Sequence, residues 1–114
     1  MTTPPEIKFL VQGSAPEPYT IRFVRRSERN LSAYCNCPAG DKGQICKHRT
    51  RILNGLTTDI VSDNTDQVVT VVDWVKGSDV EAAQGDVEIA KRKLEEAQKE
   101  LKAKKKAFVK RMLD

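Results

Sequence analysis

Three cysteines and one histidine lie within fourteen residues of this 114-residue chain, in the order C-x-C-x8-C-x-H. They are every cysteine and the only histidine of the sequence: Cys35, Cys37, Cys46 and His48. Three thiols and one imidazole make up the ligand set of a closed, tetrahedral structural zinc site. A disulfide framework would leave one of the three cysteines unpaired, which counts against disulfide and redox interpretations. The sequence therefore predicts one structural Zn2+ per chain.

Alternating apolar residues predict three strands that lead into this cluster. The residues expected to face inward are Ile7, Phe9 and Val11 in the first strand, Tyr19, Ile21 and Phe23 in the second, and Leu31, Ala33 and Cys35 in the third. Pro38 cannot continue the ladder of the third strand, because proline has no backbone N–H. Residues 39–43 contain two glycines and are expected to form a turn.

Spacing also locates the helix of the second ligand pair. Residues i and i+2 are about 200° apart around a helix, so Cys46 and His48 cannot both lie in mid-helix and share an ion. Cys46 is therefore expected to precede a helix that carries His48 in its first turn. Asn54 and Gly55 should end this helix, because glycine readily takes the left-handed cap conformation.

The pattern C-x-C-x8-C-x-H, after two strands and before a short helix, resembles the SWIM-type zinc finger. The resemblance covers residues 19–56, and the triplet Cys46-Lys47-His48 is its most specific part. It implies a ββα module that binds one zinc ion. It also implies binding to DNA or to a protein partner, without deciding between the two.

Charge is segregated along the chain, although the net charge is only +4. Residues 1–56 carry nine basic and four acidic residues, and residues 99–111 carry seven basic residues and one acidic residue. Solvated surface is one explanation of such runs, and phosphate binding is the other. The candidate nucleic-acid-binding residues lie on two elements. Lys47 and Arg51 are on the polar side of the helix that carries His48, and Arg22 and Arg26 are on the outward side of the second strand.

Other function classes are less compatible with this composition. The only histidine and all thiols are assigned to the metal, and four protein ligands leave no open position for a reactive water, so we do not expect an enzyme. No apolar run reaches the length of a signal peptide or a membrane span, so no membrane partner is expected. Free thiols without a secretion signal indicate a reducing compartment, and cytoplasmic localisation is the expectation.

The segment after the finger is expected to contain a short helix. Residues 57–65 are rich in Thr, Ser, Asp and Asn and form a connector. Val68, Val71 and Val75 recur at helical spacing, and Trp74 provides a large apolar anchor. A helix over residues 66–76 follows, although the high density of β-branched residues leaves a strand as the alternative.

A long amphipathic helix is predicted over residues 79–113, opened by a capping box from Ser78 to Glu81. Apolar residues recur in it at seven-residue intervals: Val80, Val87, Leu94, Leu101 and Phe108. Such a seam is typical of a coiled coil. Residues 79–96 are mainly acidic and residues 99–111 mainly basic, so an antiparallel homodimer would pair opposite charges. The alternatives are that the long helix packs onto residues 68–75 or onto another protein.

These inferences combine into an α+β chain with three segments. Residues 1–56 form a ββα zinc-finger domain with an additional N-terminal strand, residues 57–78 a connector with a short helix, and residues 79–114 the long helix. The expected function is that of a non-catalytic zinc-finger module that binds nucleic acid, with DNA as the first choice. The alternative is a protein–protein adaptor that uses the finger and the last helix. The sequence leaves DNA, RNA and protein open as partners.

Overall fold

A computed structural model of the chain describes residues 3–114. It confirms a small α+β fold, in which a three-stranded antiparallel sheet is followed by helices. The elements in chain order are β1 (Glu6–Val11), β2 (Tyr19–Arg25), β3 (Leu31–Cys35), α1 (Pro38–Asp41), α2 (Lys47–Leu53), a 3-10 turn (Thr65–Gln67), α3 (Val68–Val75) and α4 (Asp79–Leu113). The chain forms two compact units, Met1–Glu81 and Ala82–Asp114.

The inner face of the sheet forms the centre of the first unit. The strand order is β1-β2-β3, and the register pairs Phe9 with Ile21 and Ile21 with Cys35. Phe9, Ile21 and Phe23 are fully buried, and the rings of Phe9 and Phe23 meet edge to face with centroids 6.0 Å apart. The predicted inward-facing positions of the strands are therefore the ones that form this core.

Helices α2 and α3 contribute to the same core. Ile52 of α2 and Val71 of α3 are almost completely buried, and Trp74 is 8% exposed. The helix predicted over residues 66–76 is confirmed, as a 3-10 turn followed by α3. Because the buried side chains of α3 belong to the core of the sheet, the segment described above as a connector is part of the first unit.

Residues 59–64 run along the edge of β1, which the sequence did not predict. Ile60 forms an antiparallel bridge with Val11, and the Val61 N–H donates to the Leu10 carbonyl at 2.8 Å. The Asn64 side-chain amide donates to the carbonyl of Lys8 at 2.7 Å. This segment thus satisfies backbone groups that an open sheet edge would leave unpaired.

Two local predictions differ from the structure. Residues 39–43 were expected to form a turn, but Pro38–Asp41 form one helical turn because Pro38 lies at its start and Cys37 caps it. At the start of α4, the Glu81 N–H donates to Ser78 Oγ at 3.2 Å, as in a capping box. The Glu81 carboxylate, however, accepts from Gly77, because the Ser78 N–H already donates to the carbonyl of Val75.

Candidate metal centre

Each of the four predicted ligands lies at the end of an element. Cys35 is the last residue of β3, Cys37 caps α1, Cys46 caps α2, and His48 lies in the first turn of α2. All four side chains are buried, with between 2% and 7% of each residue exposed. The elements therefore bring the two ligand pairs, which are separated by eight residues in the sequence, into one buried site.

The distances among the four side chains fit a tetrahedral metal site. The ligand atoms all lie within 4.8 Å of one another. His48 Nδ1 is 3.8 Å from Cys35 Sγ and 3.7 Å from Cys46 Sγ. A tetrahedral ion with Zn–S of about 2.3 Å and Zn–N of about 2.0 Å separates S and N ligands by about 3.5 Å. The four residues are thus positioned to bind one metal ion, with Nδ1 as the ligand atom of His48.

Backbone N–H groups point at two of the sulfurs. The Gly40 N–H donates to Cys37 Sγ at 3.3 Å, and the Arg49 N–H donates to Cys46 Sγ at 3.5 Å. In each case the donor lies three residues after the cysteine, in the first turn of a helix that the cysteine caps. These hydrogen bonds stabilise thiolate sulfur, which is the form of cysteine that binds metal.

The protein alone does not favour ionisation of all three thiols. Burial, reinforced by the neighbouring sulfurs of Cys37 and Cys46, raises the pKa of Cys35 to about 12. Burial also acts to raise the pKa of Cys46, but the Arg49 N–H and the neighbouring thiols outweigh it and the pKa is lowered. A divalent cation supplies the positive charge that lets several adjacent thiolates coexist, so the donor set fits a metal ion.

The imidazole of His48 is kept neutral and is held from the side opposite the sulfurs. Burial, together with the positive charges of Lys47 and Arg51, lowers the pKa of His48. The ring lies beside Tyr19, with centroids 5.1 Å apart. Gly13 also covers this side, since a Cβ on Gly13 would lie 3.3 Å from His48 Nε2 and would overlap the Tyr19 ring. A neutral, fixed imidazole is the form that binds metal.

Arg49 and Gly40 support the centre, and sequence reasoning missed both roles. The Arg49 guanidinium donates to the carbonyl of Ala33 at 3.1 Å and to that of Gln44 at 2.6 Å, so it connects β3 to the loop before Cys46. Gly40 packs against the backbone of Cys35. The position of Arg49 three residues after Cys46 was the available signal for its role. The role of Gly40 depends on a contact with Cys35 that the sequence does not reveal.

The four candidate nucleic-acid-binding residues do not form one surface. Arg22 lies on the outer face of the sheet and pairs with Glu6, and Arg26 reaches the same face by donating to the Tyr34 hydroxyl at 2.8 Å. Lys47 and Arg51 lie on α2, whose Ile52 packs into the core on the inner face.

Arg51 also has a carboxylate partner, since its Nη1 lies 3.6 Å from Asp59 Oδ2. Two of the four residues are thus engaged in ion pairs within the chain.

The predicted seam of α4 is exposed along most of its length. Val87, Leu94, Leu101 and Phe108 are 39%, 59%, 55% and 65% exposed. Val80, the first seam residue, is half-buried and packs against the core of the first unit. Val80 is therefore part of the first unit, and the exposed apolar row begins at Val87.

Over residues 3–114, no helix is both long and apolar enough to cross a lipid bilayer. Comparisons of the chain with protein-family profiles, with curated proteins and with solved structures found no significant match.

Proposed function

We propose that this protein is a non-catalytic module of the SWIM zinc-finger type, which holds one structural Zn2+ and binds nucleic acid. The observation that carries the metal part is the convergence of Cys35, Cys37, Cys46 and His48, with ligand atoms within 4.8 Å of one another. Thiolate and imidazole ligands favour zinc over the hard cations Mg2+ and Ca2+. Four protein ligands complete a tetrahedral shell, so the ion would stabilise the fold and would not activate water.

Zinc would act as a folding element here. The core of the first unit is small, and the metal would join the end of β3, the start of α1 and the start of α2. Structural zinc sites couple metal binding to folding, because the unfolded chain does not hold the ligands together. The metal would therefore stabilise the contact between the sheet and the two helices.

Positive charge supports the nucleic-acid part of the proposal. Residues 1–56 carry nine basic and four acidic residues, a balance of +5, and three thiolates with one Zn2+ subtract one. The resulting charge of +4 lies on a module whose exposed side chains include Lys47 and Arg22. Residues 102–106 of α4 add four lysines, which would contribute nonspecific attraction to phosphate.

The test combines metal removal with salt-dependent binding. Chelation should abolish cooperative unfolding of the first unit, leave most of the circular dichroism of α4, and lower affinity for oligonucleotides. His48→Ala should have the same effect, whereas Lys47→Ala, at a neighbouring exposed position, should retain zinc. Each lost phosphate contact should reduce the slope of log affinity against log salt by about 0.7 to 0.9. A metal-free protein that unfolds as cooperatively as the metal-bound one would rule out the structural role.

A protein adaptor is the second candidate function, and the exposed apolar row of α4 favours it. Leu94 and Phe108 are more than half exposed, and contiguous exposed apolar residues mark interaction sites. The occupant we propose is a second copy of the chain, antiparallel to the first. Residues 79–96 carry six acidic and three basic residues, and residues 99–111 carry one acidic and seven basic, so antiparallel copies pair opposite charges.

A further inference from the structure

The outer face of the sheet carries a row of two cations and one aromatic ring across all three strands. The register pairs Lys8 of β1 with Arg22 of β2, and Arg22 with Tyr34 of β3. Adjacent strands are about 4.8 Å apart, so this row is about 10 Å wide. All three residues are exposed. The cations on this face follow from the sequence pattern, whereas the position of Tyr34 among them follows from the register of β2 and β3.

Tyr34 is held in position by two arginines. The Arg22 guanidinium carbon lies 5.3 Å from the centroid of the Tyr34 ring, within cation–π distance. Arg26 donates a hydrogen bond to the Tyr34 hydroxyl at 2.8 Å. The residue remains 44% exposed. A large ring is thus fixed at the surface between positive charges, and little side-chain entropy remains to be lost on binding.

This combination is the one that proteins use to bind single strands. Exposed aromatic rings stack on bases, and neighbouring cations contact the backbone phosphates. Three cations, Lys8, Arg22 and Arg26, share the face with one carboxylate, Glu6, which pairs with Arg22. We propose that the outer face of the sheet binds single-stranded nucleic acid, with one base stacked at Tyr34 and phosphates at Lys8, Arg22 and Arg26. This inference rests on the proposed nucleic-acid function and assigns its surface.

A cleft beside the row provides groups that read base edges. Its volume is about 340 Å3, and it is lined by Thr20, Arg22, Tyr34, Asn36, Asp41 and Arg49. The side-chain Oδ1 of Asn36 accepts the Thr20 N–H at 2.8 Å, which orients the side-chain amide. Amide, carboxylate and guanidinium groups form hydrogen bonds with base edges, whereas Asp41 would repel a phosphate. The cleft therefore suits the edge of the base next to the stacked one.

The geometry favours a single strand over a duplex. Bases of a duplex are stacked on one another and do not offer a free face to Tyr34, while bases of a single strand do. In the alternative surface, Lys47 and Arg51 of α2, two cations lie one helical turn apart in an element whose one ring, that of His48, is buried. That arrangement contacts phosphates without selecting the strand state.

The experiment measures binding of the zinc-loaded full chain to fluorescently labelled oligothymidylate, oligouridylate and a DNA duplex. We expect both single strands to bind more tightly than the duplex. Tyr34→Ala should lower single-strand affinity by about 5- to 150-fold, the effect of losing one stacked base, and Tyr34→Phe should retain most of the affinity. Glu6→Gln should raise the affinity severalfold, because Arg22 then contacts phosphate without a competing carboxylate.

Lys76→Gln is the matched control, because it removes one exposed positive charge at the end of α3, whose Val71 and Trp74 pack into the core. It should leave single-strand affinity nearly unchanged. Unchanged affinity in Tyr34→Ala would overturn the sheet-face proposal. If Lys47→Gln and Arg51→Gln lower affinity instead, nucleic-acid binding stands and its surface is α2. If the wild-type protein binds no oligonucleotide at low salt, both proposals fail and the protein-adaptor function is favoured.

Discussion

The α-carbon of Gly40 lies against the backbone carbonyl oxygen of Cys35, so closely that a Cβ on Gly40 would overlap that oxygen. This contact brings the first turn of α1 against the end of β3. It therefore positions Cys35 and Cys37 so that both could bind one ion, and it lets the Gly40 N–H reach Cys37 Sγ. Glycine is required here for close approach of two backbone segments and not for an unusual backbone angle.

Gly40→Ala should consequently weaken both the fold and metal binding. Overpacking in a well-packed interior costs about 1–3 kcal/mol, and the contact here is with backbone, which cannot move aside like a side chain. We expect a lower unfolding temperature and a lower zinc affinity, measured by calorimetry and by competition with a chromophoric chelator. A variant with wild-type zinc affinity would contradict the importance of this contact.

The same substitution at Gly85 should have the opposite effect. Gly85 lies inside α4, and a Cβ there would meet no atom within 4 Å. Alanine is favoured over glycine in a helix interior by about 1 kcal/mol. Gly85→Ala should therefore increase the helical signal of α4 on heating and leave zinc affinity unchanged. Loss of helicity would indicate that glycine is needed there for a contact with a partner.

Asp79 connects the start of α4 to the turn between β2 and β3. Its carboxylate accepts the Leu31 N–H at 3.0 Å, and its own N–H donates to the carbonyl of Arg29 at 2.8 Å. Asp79→Ala would leave the N–H of buried Leu31 without this acceptor, which should lower the unfolding free energy by about 1–2 kcal/mol. Asp79→Asn keeps an acceptor oxygen and should cost less. Amide hydrogen exchange at Leu31 gives the local readout, and equal exchange rates in the two variants would contradict the assignment.

Acidification should release the metal and destabilise the first unit. Burial lowers the pKa of His48 in the folded protein, so between that pKa and the unfolded value of about 6.5 the unfolded chain binds more protons. The unfolding free energy therefore falls as the pH falls below about 6.5, and protonation of the ligands adds to the loss of metal. Zinc release followed with a chelating dye across this range, together with thermal unfolding, checks the sign. Stability that increases on acidification would contradict it.

Leu94→Asp should prevent self-association through α4. Leu94 is 59% exposed and lies in the middle of the apolar row, so a carboxylate there would be buried in the proposed antiparallel dimer. We expect a dimer mass for the wild type and a monomer mass for the variant by light scattering at micromolar concentrations. Arg92→Asp, two positions away on the helix, is the matched control and should remain dimeric.

Salt distinguishes the two orientations of the dimer. Antiparallel copies pair opposite charges, so added salt should weaken the dimer, whereas parallel copies align like charges and added salt should strengthen it. A monomeric wild type would disprove self-association.

Local patterns in the sequence were sufficient for most elements. Alternation of apolar residues located β1, β2 and β3, because a strand with one buried face repeats every two residues. The i, i+2 spacing of Cys46 and His48 located the start of α2, because a helix cannot present both to one ion in its interior. Heptad spacing and the residues from Ser78 to Glu81 located α4.

Tertiary contacts decided what these patterns left open. Val68–Val75 are rich in β-branched residues, and the segment is a helix because Val71 and Trp74 are buried in the core of the sheet. Residues 59–64 lie along β1 because their backbone groups pair with an exposed strand edge, and polar composition alone gives no sign of this.

The sequence by itself determined the four metal-binding candidates, because only four residues of the chain are cysteine or histidine and they are clustered. Only the tertiary structure decided how they are supported and what surrounds them. The support of the centre by Gly40 and Arg49, and the position of Tyr34 beside Arg22 on the outer face, arise from contacts across separate elements. Such contacts depend on strand register and on the approach of backbones, which periodicity within one segment does not specify.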